Sequence, residues 1–165
     1  MLRTLAIHDF VIVDAIEIDL SAGFSVFTGE TGAGKSILID ALTLALGGRA
    51  DASVVREGAA RADITAEFAG PFDAALGEWL DQNALTGEDG VLFMRRVIDN
   101  GGRSKAFING ITATVTQLRE LGEMLVDIHG QHAHQSLLKA DAQRLLLDSH
   151  ACLQDDVRAV AAAYR

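Results

Sequence analysis

The N-terminal part of the chain alternates between apolar and polar positions in the manner of β-strands. Apolar residues at positions 16, 18 and 20 fall on one face, and acidic residues at 17 and 19 fall on the other. This alternation predicts a half-buried strand over residues 17–20, with residues 2–7 as its partner. After the turn residues Ser21-Ala22-Gly23, residues 24–28 form a short, mostly apolar run that predicts a buried strand.

A glycine-rich loop, Gly29-Glu30-Thr31-Gly32-Ala33-Gly34-Lys35-Ser36, follows this run directly. Beyond the loop, apolar residues at positions 37, 38, 41, 42 and 45 recur at helical spacing, and Gly47-Gly48 is a stop signal. The pattern therefore predicts a strand, a glycine loop and a helix in immediate succession.

Three further strands are predicted over residues 62–68, 91–98 and 104–109. Asn100-Gly101 and Asn109-Gly110 lie at the ends of the last two, and both dipeptides favour tight hairpin turns. These strands predict an antiparallel side sheet. Pro71 predicts the start of a helix that runs toward Leu80, and Thr114 predicts the N-cap of another helix that ends near Leu125.

The C-terminal segment carries a seven-residue repeat. One set of positions contains Leu146, Leu153 and Val160, and the complementary set contains His150, Val157 and Tyr164. The repeat predicts that residues 141–165 begin a coiled-coil arm of a longer protein, and that residues 1–140 form a lobe of their own. Because it is shorter than the three or four heptads typical of a coiled coil, an ordinary amphipathic helix is the alternative.

Composition and charge narrow the class of protein. The 165 residues are 49% hydrophobic, which is enough for the core of one compact domain. The net charge of −9 repels a phosphate backbone, so any nucleic-acid contact must be local. Cys152 is the single cysteine, which excludes an internal disulfide and favours the cytoplasm. No apolar stretch approaches the roughly 20 residues that span a membrane, so we expect no membrane insertion.

The glycine-rich loop has the residue types that phosphate binding requires. Its glycines allow the backbone to turn several N–H groups toward phosphate oxygens, and the following helix adds the positive end of its dipole. We expect Lys35 to contact the β and γ phosphates and the Ser36 hydroxyl to bind Mg²⁺. The expected nucleotide-binding residues are Gly29, Glu30, Thr31, Gly32, Ala33, Gly34, Lys35, Ser36 and Ile37. The alternative is a glycine turn that merely closes a strand–helix unit.

Two other segments are distinctive: Arg-Ser-Lys-Ala-Phe-Ile-Asn-Gly at residues 103–110, and Asp-Ile-His-Gly-Gln-His-Ala-His-Gln at residues 127–135. Together with the glycine loop and the helix exit Leu46-Gly47-Gly48-Arg49, they closely resemble the RecN family of bacterial DNA double-strand-break repair proteins, which is related to the SMC ATPases. The loop alone is shared by many NTPases, whereas the second segment is more particular to RecN. The resemblance covers essentially the whole chain.

The resemblance implies an α/β P-loop NTPase fold, with residues 1–140 as the N-terminal lobe of an ABC-type ATPase head. The family's Walker B aspartate, catalytic glutamate and Ser-Gly-Gly signature are not found in these residues. A complete site is therefore expected to need the C-terminal lobe of the same protein and a second head. The implied partners are DNA and a second copy of the protein, joined through heads and coiled-coil arms.

The resemblance also implies a glutamine that senses the γ phosphate and helps to hold Mg²⁺ and the attacking water. Gln131 matches by position and Gln135 is its rival; a glycine precedes Gln131, which lets backbone approach a ligand. The expected catalytic residues are therefore Lys35 and Gln131, and the expected Mg²⁺ ligands are Ser36 and Gln131. In the same segment, His129, His132 and His134 leave a zinc site as an alternative.

Several basic residues are candidates for contacts with DNA or a partner head. SMC-type heads carry an arginine beyond the first helix that couples nucleotide to DNA or to the other head, and Arg56 is favoured over Arg49 for this role. Positive charge is also concentrated on one predicted hairpin, and this patch is a candidate DNA-facing surface. The alternative is a charged sheet edge that prevents strand addition. The patch contains Arg95, Arg96, Arg103 and Lys105.

These expectations make an ATPase head the leading hypothesis: ATP and Mg²⁺ join two heads, and hydrolysis releases them in a cycle that moves the arms around DNA at the nucleoid. On this hypothesis the chain by itself turns over ATP near background. A P-loop kinase is one alternative, although its loop normally follows the very first strand, whereas here the two strands predicted at residues 2–7 and 17–20 already precede the run that leads into the loop. A nucleotide-gated clamp in which hydrolysis is incidental is the other.

Overall fold

The computed structural model describes residues 1–29, 34–126, 128, 143–144, 147–148, 150–151 and 153–164. The strands are β1 (Leu2–Phe10), β2 (Val13–Asp19), β3 (Arg61–Ala69), β4 (Val91–Asp99), β5 (Ser104–Ile108) and β6 (Ile111–Ala113). The helices are α1 (Lys35–Ala45), α2 (Ala74–Gln82), α3 (Val115–Leu125) and α4 (Gln154–Ala163), with a short 3-10 helix at Ala52–Val54. The chain divides into two compact units, Met1–Val126 and Asp127–Arg165.

The first unit is built on a six-stranded sheet in the order β2-β1-β3-β4-β5-β6. Each neighbouring pair is antiparallel, so the predicted antiparallel sheet is confirmed. The strands predicted at 62–68, 91–98 and 104–109 are present as β3, β4 and β5. Asn109-Gly110 forms the β5–β6 turn with positive φ values of 50° and 78°, a backbone shape that asparagine and glycine tolerate best.

One face of the sheet carries the core. Alternate residues of β1, β3, β4 and β5 point to this face and are buried, because strand side chains alternate with a period of two. Helix α1 packs against β3 and β4, and α3 packs against β5. The largest buried side chains of this covered face are Ile7, Ile64, Phe68, Leu92, Met94, Ile98 and Ile108.

The helix boundaries follow the sequence signals closely. Helix α1 ends before Gly47, whose φ of 87° lets its N–H bond to the Leu44 carbonyl at 3.1 Å. Thr114 caps α3 in a reciprocal capping box with Gln117, which confirms the predicted N-cap. Helix α2 begins at Ala74, later than the predicted start at Pro71, because the Asp73 carboxylate accepts the Leu76 N–H and sets the first turn.

The prediction of a buried strand over residues 24–28 is wrong for this structure. Residues 24–28 belong to no strand, and Phe24, Val26 and Phe27 are 94%, 67% and 52% exposed. A buried strand needs a hydrogen-bonded neighbour and a covering layer, and none of the described strands pairs with this segment. The predicted strand over residues 17–20 does exist, but it begins earlier, as β2 over Val13–Asp19.

In the second unit, residues 143–144, 147–148 and 150 are helical and α4 covers Gln154–Ala163. Ala151 lies in a turn and Leu153 precedes α4, so the predicted heptad helix is not continuous there. The assignment of residues 141–165 to a coiled-coil arm stays a prediction. Within the ranges that the structure describes, no helix is long and apolar enough to cross a membrane.

Candidate nucleotide-binding site

The N-terminus of α1 is the centre of the candidate site. Gly34 is its N-cap and has a φ of 84° and a ψ of 6°, a left-handed conformation that favours glycine. No described side chain caps this end of the helix, and no acidic residue lies in its first turn. Its first N–H groups and the positive end of the helix dipole can therefore be used by an anion.

The two sequence-predicted side chains stand at the start of this helix. Lys35 is half-buried, and its Nζ donates a hydrogen bond to the Gly29 carbonyl, which brings the two ends of the loop together. Ser36 is exposed, so its hydroxyl is accessible to a cation. The Ile37 N–H bonds to the Gly34 carbonyl at 3.1 Å and belongs to the first helical turn. An ammonium group, a hydroxyl and an uncapped helix end fit a nucleotide phosphate with Mg²⁺.

The rest of the predicted site lies outside the described residues. This applies to Glu30, Thr31, Gly32 and Ala33 of the loop, and to Gln131, Gln135, His129, His132 and His134 of the second segment. Their expected roles stay predictions. Among the described residues, no group of three or more His, Cys, Asp or Glu side chains is placed to hold a metal ion.

The other end of α1 is held tightly against α3. A Cβ atom on Gly47 would lie 2.6 Å from the Arg119 backbone nitrogen and 2.8 Å from the Val115 carbonyl oxygen, so only glycine fits there. Arg119 also donates a hydrogen bond of 3.3 Å to the Gly47 carbonyl, at the negative end of the α1 dipole. These contacts fix the helix whose first turn carries Lys35 and Ser36.

The two arginines beyond the first helix have different surroundings. Arg49 is exposed, and its charge contributes to lowering the pKa of the Asp51 carboxyl, chiefly lowered by hydrogen bonds from Ser53. Arg56 donates hydrogen bonds to Asp9 at 2.9 Å and to Asp14 at 2.6 Å, and the bond to Asp9 raises the pKa of its guanidinium. Arg56 therefore braces the β1–β2 turn. Its contact with DNA or a partner head stays a prediction.

Three of the four residues of the predicted basic patch, Arg95, Arg103 and Lys105, lie on the face of the sheet opposite to the covered face, which we call the open face. It is formed by alternate residues of β3, β4 and β5, and contains a cavity of about 570 Å³. Arg95 and Arg103 are exposed there in ion pairs with Asp63 and Asp99. The cavity is lined by Arg61, Arg95, Val97, Asp99, Arg103, Ser104, Lys105 and Phe107.

The inclusion of Arg96 in the predicted patch is wrong. Arg96 points to the covered face, where it is 3% exposed, between Ile64 on β3 and Ala106 on β5. Strand alternation places it in phase with the buried apolar residues of β4, so it cannot belong to the open face that carries Arg95. Burial, and then the charge of Arg119, lower the pKa of its guanidinium. Sequence reasoning also missed Arg61 and Phe107, which join the open face only through strand pairing.

Comparisons with known proteins show the family to which this chain belongs. A family model described as an AAA domain matches residues 4–154. The DNA repair protein RecN of Vibrio cholerae serotype O1 is 46% identical over all of this chain, which spans 30% of that protein. RecN of Haemophilus influenzae is 48% identical over 92% of this chain and 27% of its own length. The chain thus spans less than a third of these curated relatives.

A solved structure shows the same fold. The Smc head domain with an extended coiled coil from Pyrococcus furiosus, crystallised with the C-terminal domain of ScpA, superposes on 90% of this chain and 41% of its own, with a TM-score of 0.65 and 21% identity. The fold of this chain is therefore that of part of an α/β head of the SMC type. The chain belongs to the AAA domain family, and its resemblance to the RecN proteins is confirmed over its whole length.

Proposed function

We propose that this chain is the ATP-binding part of an SMC-like ATPase head that acts in DNA double-strand-break repair in the bacterial cytoplasm, at the nucleoid. ATP with Mg²⁺ binds at the start of α1 and joins two heads, and hydrolysis separates them. The observation that carries the proposal is the N-terminus of α1, which no described side chain caps and where Gly34 turns the backbone and Lys35 and Ser36 stand in the first turn. The family match and the RecN relatives support it.

Completion of the site is assigned to the rest of the protein. The apolar side chains of Phe24, Val26 and Phe27 are exposed next to the glycine loop. Exposure of such side chains to water is unfavourable, so a further segment is expected to cover them. The chain spans 30% of the Vibrio relative, so most of that protein is available to cover them. We therefore assign this segment to the contact with the C-terminal lobe, which brings the missing catalytic residues. Gln131 is assigned to γ-phosphate sensing.

Contacts with DNA or the second head are assigned to the exposed cations. These are Arg95, Arg103 and Lys105 on the open face and Arg49 beyond α1, and the half-buried Arg56 is assigned the same role. In a chain of net charge −9, such a local concentration of positive charge is the surface that attracts a phosphate backbone.

The test of the proposal is the Lys35→Ala variant of the full-length protein that contains this chain. Loss of a charge-assisted contact to phosphate should weaken ATP binding at least about tenfold, measured by titration calorimetry, and should abolish turnover. Arg3→Ala is the matched control, because it removes an exposed cation that is paired with Glu67 at 3.3 Å. Unchanged ATP affinity in Lys35→Ala, with a native circular dichroism spectrum, would refute the assignment of this loop.

A further inference from the structure

We propose that the open face binds single-stranded nucleic acid, with bases stacked on Phe93 and Phe107 and phosphates held by Arg61 and Lys105. The proposal rests on the DNA-binding role proposed above and specifies the form of nucleic acid that this surface takes. It requires three features: accessible aromatic rings, cations that are not already neutralised, and a groove along which the faces of unpaired bases can reach the rings.

The aromatic rings form the first feature. Phe93 is 40% exposed on β4, and Phe107 on the neighbouring β5 lines both cavities of the open face. Phe107 pairs with Arg95, two residues along β4 from Phe93, so the two rings stand at the diagonal spacing of about 7–8 Å. Aromatic residues on adjacent strands of an uncovered sheet are the arrangement on which successive unpaired bases stack in RNA recognition motifs. The guanidinium of Arg95 lies over the Phe107 ring, 5.7 Å from its centre, and a planar guanidinium is itself a surface on which a base can stack.

The cations form the second feature. Arg61 and Lys105 line the cavity of about 570 Å³ and are exposed, and within the described part of the chain neither side chain has a hydrogen bond or an ion pair. The other two cations of the cavity are already paired, Arg95 with Asp63 and Arg103 with Asp99. The aspartates limit how much phosphate this face attracts. Binding therefore depends on the rings as well as on the two unpaired cations.

The shape of the open face favours an unpaired strand. The second cavity, of about 400 Å³, shares Arg95 and Phe107 with the first, so the two adjoin and together make a groove along β4. It runs from Phe93 to Asp99, a length of roughly 20 Å at about 3.3 Å per residue. In a duplex the faces of the bases are stacked on one another, so these rings could reach only a terminal base pair. In a single strand every base presents a face.

The experiment compares three probes on the full-length protein by fluorescence anisotropy: a labelled 15-residue oligothymidine, an abasic oligonucleotide of the same length, and a blunt duplex. Phe107→Leu should weaken oligothymidine binding about tenfold and leave abasic binding unchanged, because only the stacking contact is lost. Phe107→Trp keeps an aromatic ring and should therefore bind oligothymidine about as tightly as the wild type. Lys105→Ala should weaken both single strands and reduce the salt slope by about 0.7. Arg3→Ala is the control for loss of a cation on the same sheet.

Equal losses on oligothymidine and abasic strands in Phe107→Leu would overturn base stacking while leaving phosphate binding in place. Tighter binding of the duplex, unaffected by Phe107→Leu, would overturn the single-strand assignment. Failure of the wild-type protein to bind any of the three probes, with ATP binding intact, would instead remove the DNA-binding part of the proposed function.

Discussion

Replacement of Arg96 by methionine should stabilise the chain. The Arg96 side chain is 3% exposed, and its Nε and Nη1 atoms have no hydrogen-bond partner in the part of the chain that the structure describes. A buried donor without an acceptor costs about 1–3 kcal/mol, and Arg119 adds like-charge repulsion. Methionine has a similar length and no charge, and apolar replacement of buried ionic groups is often stabilising by about 1–4 kcal/mol. We expect the free energy of unfolding to rise by about 1–3 kcal/mol.

The measurement is urea unfolding of the chain, followed by circular dichroism, for wild type, Arg96→Met and Arg95→Met. Arg95 is the matched control, because it is the adjacent residue, its side chain is 45% exposed, and its ion pair with Asp63 is a surface pair worth at most about 1 kcal/mol. Arg95→Met should therefore be neutral or slightly destabilising. Destabilisation of Arg96→Met by more than about 1 kcal/mol would show that the guanidinium has an acceptor, and would refute the reasoning.

Two further predictions concern residues at turns, namely Gly47 after α1 and Asp99 at the end of β4. Gly47→Ala should destabilise the chain by about 2 kcal/mol or more in the same urea assay, because it combines a left-handed φ with contacts to backbone under 3 Å. Gly58→Ala, at a φ of 82° with nothing within 4 Å, should cost only about 1 kcal/mol, and equal losses would contradict the contact argument. The second of these predictions concerns Asp99→Asn. The backbone N–H and then the side chain of Arg103 lower the pKa of the Asp99 carboxyl in the folded chain, so its ionised form stabilises the fold above the unfolded pKa. The difference in the free energy of unfolding between wild type and Asp99→Asn should be largest at neutral pH and should disappear as the pH falls through the lowered folded pKa of Asp99. A difference that does not change with pH would contradict this prediction.

Local sequence signals predicted those elements whose causes are local. Gly47 ends α1 because a left-handed residue is needed there, and Thr114 begins α3 because its hydroxyl accepts a nearby N–H. Gly34 and Lys35 stand at the start of α1, as the sequence predicts, whereas residues 30–33 of the glycine loop lie outside the described residues. The alternation within β4 even carried the information that Arg96 lies in phase with Leu92 and Met94. The prediction that Arg96 is a surface cation did not take this strand alternation into account.

The remaining features depended on segments that are distant in the sequence. Residues 24–28 are as apolar as a buried strand, but a strand is buried only where another segment pairs with it, and the sheet of this unit is completed without them. Arg61 and Phe107 share the open face only because β3 and β5 both pair with β4 in a particular register. The sequence by itself thus determined the helix ends and the faces of single strands. Strand pairing decided which faces meet, because register is a property of two segments and is written in neither alone.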